Sequence, residues 1–256
     1  VPDTLRTDAP SALFVHAHPD DESLWTGGLI ADLSARGAPT TLITCTWAEG
    51  TSRHRELLDA TAALGMHEPP IMLGYADCFV PESAPGAPRL IDVPFDDAVR
   101  QIVEQIRRLR PSVIVTYNAY GIYGHPDHMH AHRLAVIAAD VAAIGSYAPE
   151  LGDPWQTSSL YFATLPKATV ETLRPHLLAD SKIHIAGTAP DLVSVKLDLQ
   201  HRLGEKVRAI TSHRTELARS GSMQHFMTLP KDMQRLFLGW EAYRRRDLVP
   251  GGRDLV

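Results

Sequence analysis

The chain has 256 residues, 44% hydrophobic and 21% charged, with 25 basic and 30 acidic residues and a net charge of −5. That balance belongs to an ordinary globular chain long enough for one large core, and its acidic surplus argues against nucleic acid or an anionic membrane as partner. No stretch approaches the ~20 apolar residues of a membrane span, and the only cysteines, Cys45 and Cys78, exclude a disulfide framework and a cysteine-rich zinc site.

The opening Val1-Pro2-Asp3-Thr4 lacks the basic-then-apolar pattern of a leader, so a reducing cytoplasm is the expected location. Ala12 to Ala17 reads as a buried strand. Leu24 to Arg36 has helical spacing and closes at Gly37. Thr40 to Thr46 is β-branched and strand-like, Glu56 to Leu64 is helical, and Ile71-Met72-Leu73 is a short strand. Pro81 to Pro94, with four prolines and a glycine, predicts a surface loop.

Phe95 to Leu109 carries Val99, Ile102, Val103, Ile106 and Leu109 on one helical stripe, and Pro111 stops it. Ser112 to Tyr117 is a strand and His128 to Ala143 a helix. After Gly145 the alternation weakens. Leu160 to Ala163 and Val193 to Val195 read as strands, and Leu199 to Leu217 and Lys231 to Arg244 as helices. Arg244-Arg245-Arg246 then reads as a solvated helix end before a loose tail. Strand-helix alternation with apolar strands implies parallel pairing and right-handed crossovers. The expected fold is α/β: a Rossmann-like, mostly parallel sheet flanked by helices, with a C-terminal α/β appendage. Residues 1–256 are read as a single domain.

Two polar groups interrupt this pattern. His18-Pro19-Asp20-Asp21-Glu22 follows the first strand, at the carboxyl end where open α/β sheets build their sites. Pro19 keeps His18 extended, so His18 and Asp21 can turn inward from one tight loop while Asp20 points elsewhere. A dinucleotide site would place G-x-G-x-x-G here, and carboxylates would repel a phosphate. The bland alternative is that the acids only cap a helix starting near Ser23. Glu22 alone is best read as a cap or as a supporting group behind the ligands.

The second group, His125-Pro126-Asp127-His128, follows the loop Tyr117 to Gly124 after another strand. Pro126 suits a first helical turn, which sets His125, Asp127 and His128 around a helix amino end. His128 and His132 share one helical face. His128 is favoured as a ligand because it is nearer the loop, and His132 reads better as a core or solvated histidine. Two histidines and one carboxylate form a frequent catalytic zinc set with one position left for water, and His18, Asp21 and His128 fit it.

These residues resemble the PIG-L/LmbE-like family of zinc-dependent N-acetylglucosamine deacetylases. The resemblance rests on His16 to Ser23, Thr44-Cys45-Thr46, Glu49-Gly50, Arg53 with Glu56-Leu57, Ala63-Leu64-Gly65, Leu73 to Asp77 and Tyr123 to His128. It is nearest the branch of mycothiol-biosynthesis deacetylases. It implies one catalytic zinc on His18, Asp21 and His128, with Asp20 as general base toward the metal-bound water. His125 and Tyr123 would stabilise the oxyanion, Arg53 and Asp77 would hold the substrate, and Asp127 would orient an imidazole. Chemistry points the same way for Asp20, a carboxylate beside a ligand and not itself spent on metal.

Two departures stand out. The segment between Glu49-Gly50 and Arg53 is short, and Cys78 stands where a small hydroxyl residue is expected. The implied partner is a small N-acetylated amino-sugar conjugate: a glycolipid, a thiol precursor or a glycosylated antibiotic. Iron(II) could replace zinc in a cell. Three other readings compete: an amidase of a larger acyl group on a glucosaminyl thiol conjugate, a phosphoester hydrolase, and a non-catalytic metal-stabilised sugar-binding module. Oligomeric state is not set by these patterns.

Overall fold

Five strands pair in parallel in the computed structural model, which describes residues 9–178 and 185–255. The opening Val1-Pro2-Asp3-Thr4 lies outside the described residues. The strands are β1 (Ala12–His16), β2 (Thr40–Thr46), β3 (Ile71–Tyr75), β4 (Val113–Tyr117) and β5 (Ser159–Thr164). Two later strands, β6 (Val195–Asp198) and β7 (Trp240–Asp247), extend the same sheet, with β7 antiparallel to both β5 and β6. The order is β3-β2-β1-β4-β5-β7-β6. This is the mixed α/β architecture expected.

The helices are α1 (Asp21–Trp25), α2 (Gly27–Ala35), α3 (Ser52–Ala63), α4 (Phe95–Leu109), the single turn α5 (Gly121–Gly124), α6 (Pro126–Ala142) and α7 (Lys167–Leu173). After them come α8 (Leu203–Ser212), α9 (Arg214–Arg219), α10 (Gly221–Thr228) and α11 (Lys231–Leu238). Strand β1 shows why the central strands read as unbroken apolar runs. Leu13 and Val15 enter one core with α4 and α6, whereas Ala12 and Phe14 enter the other with α2, α3 and α8. Both faces are buried, so both alternating sets must be apolar. No helix among the described residues is long and apolar enough to cross a membrane.

Chain order reverses between β1 and β4, which lie side by side although β2 and β3 intervene in sequence. The crevice at their carboxyl ends is the place where α/β sheets bind ligands. Both polar groups leave the sheet there.

Several expected boundaries differ. The helix expected from Leu24 starts at Asp21 and breaks at Thr26, where φ is −138°. The Thr26 hydroxyl donates to the Glu22 carbonyl and meets His16, and the Glu241 carboxylate accepts the Gly28 and Leu29 amides, so α2 is capped from a distant strand. Helix α3 begins at Ser52 rather than Glu56 because the Thr51 side chain accepts the His54 amide.

The helix expected over Lys231 to Arg244 ends at Leu238, and β7 follows. Its apolar spacing suits a helix, but pairing with β5 takes the backbone bonds. Arg244-Arg245-Arg246 therefore lies in a strand, where Arg245 bonds Asp247 and Asp254, and is not a helix end. Leu199 to Leu217 is broken at His213 into α8 and α9, and the strand expected at Val193 begins at Val195. The tail is not loose: Leu255 is buried, and the Tyr161 hydroxyl donates to the Arg253 carbonyl. The Pro81 to Pro94 segment packs inward through Ser83, Ala84 and Leu90.

Candidate metal centre and active-site cleft

The loop leaving β1 makes a sharp corner at Asp20, whose φ of 123° and ψ of −29° are rare for a residue with a Cβ. Such a conformation costs about 1–3 kcal/mol and persists only where its surroundings hold it. The Asp20 amide donates to the Glu22 carboxylate at 2.9 Å, and Arg53 donates to the Pro19 carbonyl, so both ends of one peptide unit are held. The Asp20 carboxylate faces Arg53 Nη2 at 2.9 Å. Asp21 turns the other way.

Three side chains converge beyond that corner. His18 Nδ1 lies 3.2 Å from Asp21 Oδ2 and 3.2 Å from His128 Nε2, and His128 Nε2 is 3.3 Å from Asp21 Oδ1. The opposite ring nitrogens are engaged. His128 Nδ1 faces the Gly121 carbonyl at 3.2 Å, and His18 Nε2 faces Asp127 at 3.1 Å and Asp77 at 3.3 Å. A carbonyl only accepts, so a neutral His128 carries its proton on Nδ1, and a neutral His18 with its proton on Nε2, toward Asp127 and Asp77, turns its Nδ1 lone pair toward Asp21 and His128. In that neutral form lone pairs meet lone pairs beside a carboxylate, so a cation, either a proton or a metal ion, must sit among them. The residues fit a divalent metal.

Two overlapping groups also bring donors within 4.8 Å: His18, His125 and His128, and His18, Asp77, His125 and Asp127. His125 suits such a role less well. It caps α6, and its Nδ1 accepts the Asp127 amide at 3.2 Å, which leaves its neutral ring a proton to donate from Nε2. Asp127 is buried between His18 and the Cys78 amide, with its Oδ1 unpartnered.

Tyr117 organises the centre, and nothing in its sequence context signals this. Its hydroxyl donates to Asp21 Oδ2 at 2.6 Å and accepts the Ala17 amide at 2.7 Å, while its ring stacks on His128 at 4.2 Å. Trp25 Nε1 donates to the other Asp21 oxygen at 3.1 Å. Gly121 is required beside them. Its φ is 63°, and a Cβ there would lie 2.6 Å from His128 Cβ.

A cleft of about 680 Å³ opens over these atoms, lined by His18, Asp20, Asp21, Arg53, Asp77, Tyr123 and His125, with Leu24, Trp25, Phe79, Met223 and Phe226 on its apolar flank. Arg53 is only 2% exposed and is spent on Asp20, on Glu216 at 3.1 Å and on the Trp47 ring at 4.6 Å. Asp77 accepts the Phe79 and Val80 amides as a turn residue while reaching His18. Glu22 faces away from the cleft, toward His213 at 2.8 Å. His132 bonds the Tyr117 carbonyl at 2.8 Å, outside both donor groups.

The field at the centre favours positive charge. Burial opposes a charged His18, yet Asp127 and Asp21 push it up to about 10. Burial likewise opposes a charged Asp21, but His128 and His18 hold it well below the usual carboxylate range. Asp20 is pushed up to about 7 by burial, against the pull of Arg53. Burial, with His18 and His128 nearby, pushes His125 down to about 4. Burial raises the Tyr123 hydroxyl, which stays protonated.

Residues 13–139 match the family model described as PIG-L: GlcNAc-PI de-N-acetylase. A 1D-myo-inositol 2-acetamido-2-deoxy-alpha-D-glucopyranoside deacetylase from Rhodococcus erythropolis is 31% identical over 254 residues, covering 87% of this chain and 86% of the relative. A relative of the same name from Thermomonospora curvata is 34% identical over 273 residues, with 92% and 90% covered. The chain belongs to the PIG-L family.

Solved structures agree on the fold of this family member. N,N'-diacetylchitobiose deacetylase from Pyrococcus horikoshii has a TM-score of 0.62 at 17% identity, over 93% of this chain and 84% of that one. A 4-carboxy-2-hydroxymuconate hydratase from Pseudomonas putida gives 0.60 at 18% identity, over 96% and 99%. The second is a hydratase, so shape alone does not select a reaction. Two further residues of this chain, His213 and Glu216, touch the groups that hold Asp20. Sequence reading places His213 and Glu216 only within the expected helix Leu199 to Leu217 and has no means of linking them to residues nearly two hundred positions earlier.

Proposed function

We propose that this PIG-L family member is a metal-dependent N-deacetylase that hydrolyses the acetamido group of an N-acetylglucosaminyl conjugate to acetate and a free amine. The observation that carries the reading is the meeting of His18 Nδ1, His128 Nε2 and the Asp21 carboxylate as acceptors, with the Asp20 carboxylate beside them in the same cleft.

His18, Asp21 and His128 would hold the ion, preferably zinc, with iron(II) the alternative in a cell. When bound, such an ion lowers the pKa of water and polarises a carbonyl. Asp20 takes the proton of the attacking water and returns it to the departing amine, a task suited to a carboxyl pushed up to about 7. His125 and Tyr123 donate hydrogen bonds where negative charge develops on the amide oxygen. Asp127 orients His18, and Glu22 holds the Asp20 amide. Asp77 and Arg53 shape the cleft wall against the sugar.

Residues 1–256 are read as one deacetylase domain, which the continuity of the sheet through β5, β7 and β6 supports. Two buried free thiols, Cys45 and Cys78, support a cytoplasmic location. The test is acetate release by zinc-loaded protein from 1D-myo-inositol 2-acetamido-2-deoxy-α-D-glucopyranoside, the compound named for the relatives, and from other N-acetylglucosaminides. Release from at least one supports the reading. Cleavage of bulky acyl conjugates without acetate release assigns an amidase instead, and sugar binding with no turnover of any amide leaves a binding module.

A further inference from the structure

His213 and Glu216 come from the corner between α8 and α9, far along the chain from Asp20, yet each is one contact removed from it. His213 is buried, and its Nε2 meets Glu22 Oε1 at 2.8 Å, while Glu22 Oε2 accepts the Asp20 amide at 2.9 Å. Glu216 Oε2 meets Arg53 Nη1 at 3.1 Å, while Arg53 Nη2 meets Asp20 Oδ2 at 2.9 Å and also donates to the Pro19 carbonyl. Between them Thr215 anchors the corner to α3, its amide and hydroxyl meeting Glu56 at 3.0 and 2.7 Å. The peptide unit entering Asp20 is therefore held at its N–H through Glu22 and at its C=O through Arg53. Each holder is fixed by the same C-terminal corner.

We infer that His213 and Glu216 are positioning residues for the Asp20 carboxylate: the α8–α9 corner keeps the left-handed backbone at Asp20 in place and aims its side chain into the cleft. The inference rests on the reading of Asp20 as general base. A corner that merely stabilised the fold would have no reason to grip both poles of one strained peptide. Without the grip, Asp20 can relax to an ordinary backbone conformation and swing away from the attacking water, whereas His18 and Asp21 keep their own contacts to Tyr117, Asp127 and Trp25.

The experiment is a pair of double-mutant cycles on the metal-loaded full chain, combining His213→Ala and Glu216→Gln each with Asp20→Asn. kcat, KM, metal content and melting temperature are measured for every variant. Each single variant at the corner is expected to lower kcat by about 10- to 100-fold, the range for losing a group that orients a functional side chain. KM and metal content stay near wild type, and His213→Gln, which can still donate to Glu22, recovers much of the loss. In the Asp20→Asn background neither substitution costs more than about twofold further, because the group through which it acts is gone.

Losses that multiply in that background overturn the inference, as do losses that track metal content or melting temperature. Should His213→Ala fail to fold, Glu216→Gln carries the test by itself. Wild-type kcat in Asp20→Asn alone is a different failure: it removes the general-base reading, and the positioning role falls with it.

Discussion

Asp20 and His125 face the same cleft, and the proposed reaction gives them opposite tasks, one to accept a proton and one to donate a hydrogen bond. Asp20 is paired with Arg53 and stands outside the converging donors, so Asp20→Asn should keep the metal and lose at least ~100-fold in kcat. His125 spends Nδ1 on the Asp127 amide. His125→Ala should therefore lower kcat by about 10²–10³, as removal of an oxyanion donor does, with metal content unchanged. Metal analysis alongside acetate assays checks both, and loss of the ion in His125→Ala would make His125 a ligand. Gly121 gives a third test at this scale. A Cβ at 2.6 Å from that of His128 must displace the ring, so Gly121→Ala should weaken metal binding at least tenfold in a competition titration against a chelator dye.

At the scale of elements, one buried arginine ties the far end of α6 to the loop that follows. Arg107 of α4 donates to the carbonyls of Ala142, Ile144, Tyr147, Ala148 and Gly152 and is 3% exposed. It satisfies acceptors that a helix end leaves without intrahelical partners. Arg107→Ala should cost about 3 kcal/mol in urea unfolding, while kcat stays at wild type, because the helix carries His128 at its opposite end. A fall in kcat without a fall in stability would show that α6 transmits strain along its length. Elements were also where sequence reading and structure parted most. Apolar spacing over Lys231 to Arg244 suits one continuous helix, yet the helix ends at Leu238. Only the vacant edge of β5 decides that Trp240 to Asp247 is extended.

The whole molecule depends on charge balance in two places. At the centre, without the proposed ion, His18 must hold a proton to balance the Asp21 and Asp127 carboxylates. Chelation should abolish acetate release and lower the melting temperature, and zinc should restore both. A ligand at a hundred times its Kd contributes about 2.7 kcal/mol. A chelated protein that melts unchanged would argue against a structural debt to metal. At the periphery, Asp32 meets His201, Arg202 and Arg36. Burial raises its pKa, but His201 and Arg202 outweigh that and lower it overall. A depressed carboxylate stabilises above its unfolded pKa, near 4, and loses that contribution as pH falls through its folded value. Asp32→Asn should therefore cost stability above about pH 5, and the difference should shrink as pH falls below about 4. A difference that grows below about pH 4 would reverse the sign.

Sequence by itself determined the alternating sheet and the two polar loops at its carboxyl edge, and it supplied the side chains from which the proposed chemistry is argued. Apolar periodicity is local, and histidines and carboxylates beside a strand end advertise themselves. It did not reach Tyr117, Trp25, His213 or Glu216, whose partners lie many residues away and whose side-chain types are common in any core. Nor could it show that Arg53 is turned inward to grip Asp20 instead of facing solvent. Those assignments are made by the strand order, which sets β1 beside β4, and by the C-terminal strands and helices, which return to the first loop. Contacts between distant segments depend on the path of the whole chain, and no window of neighbouring residues contains that path.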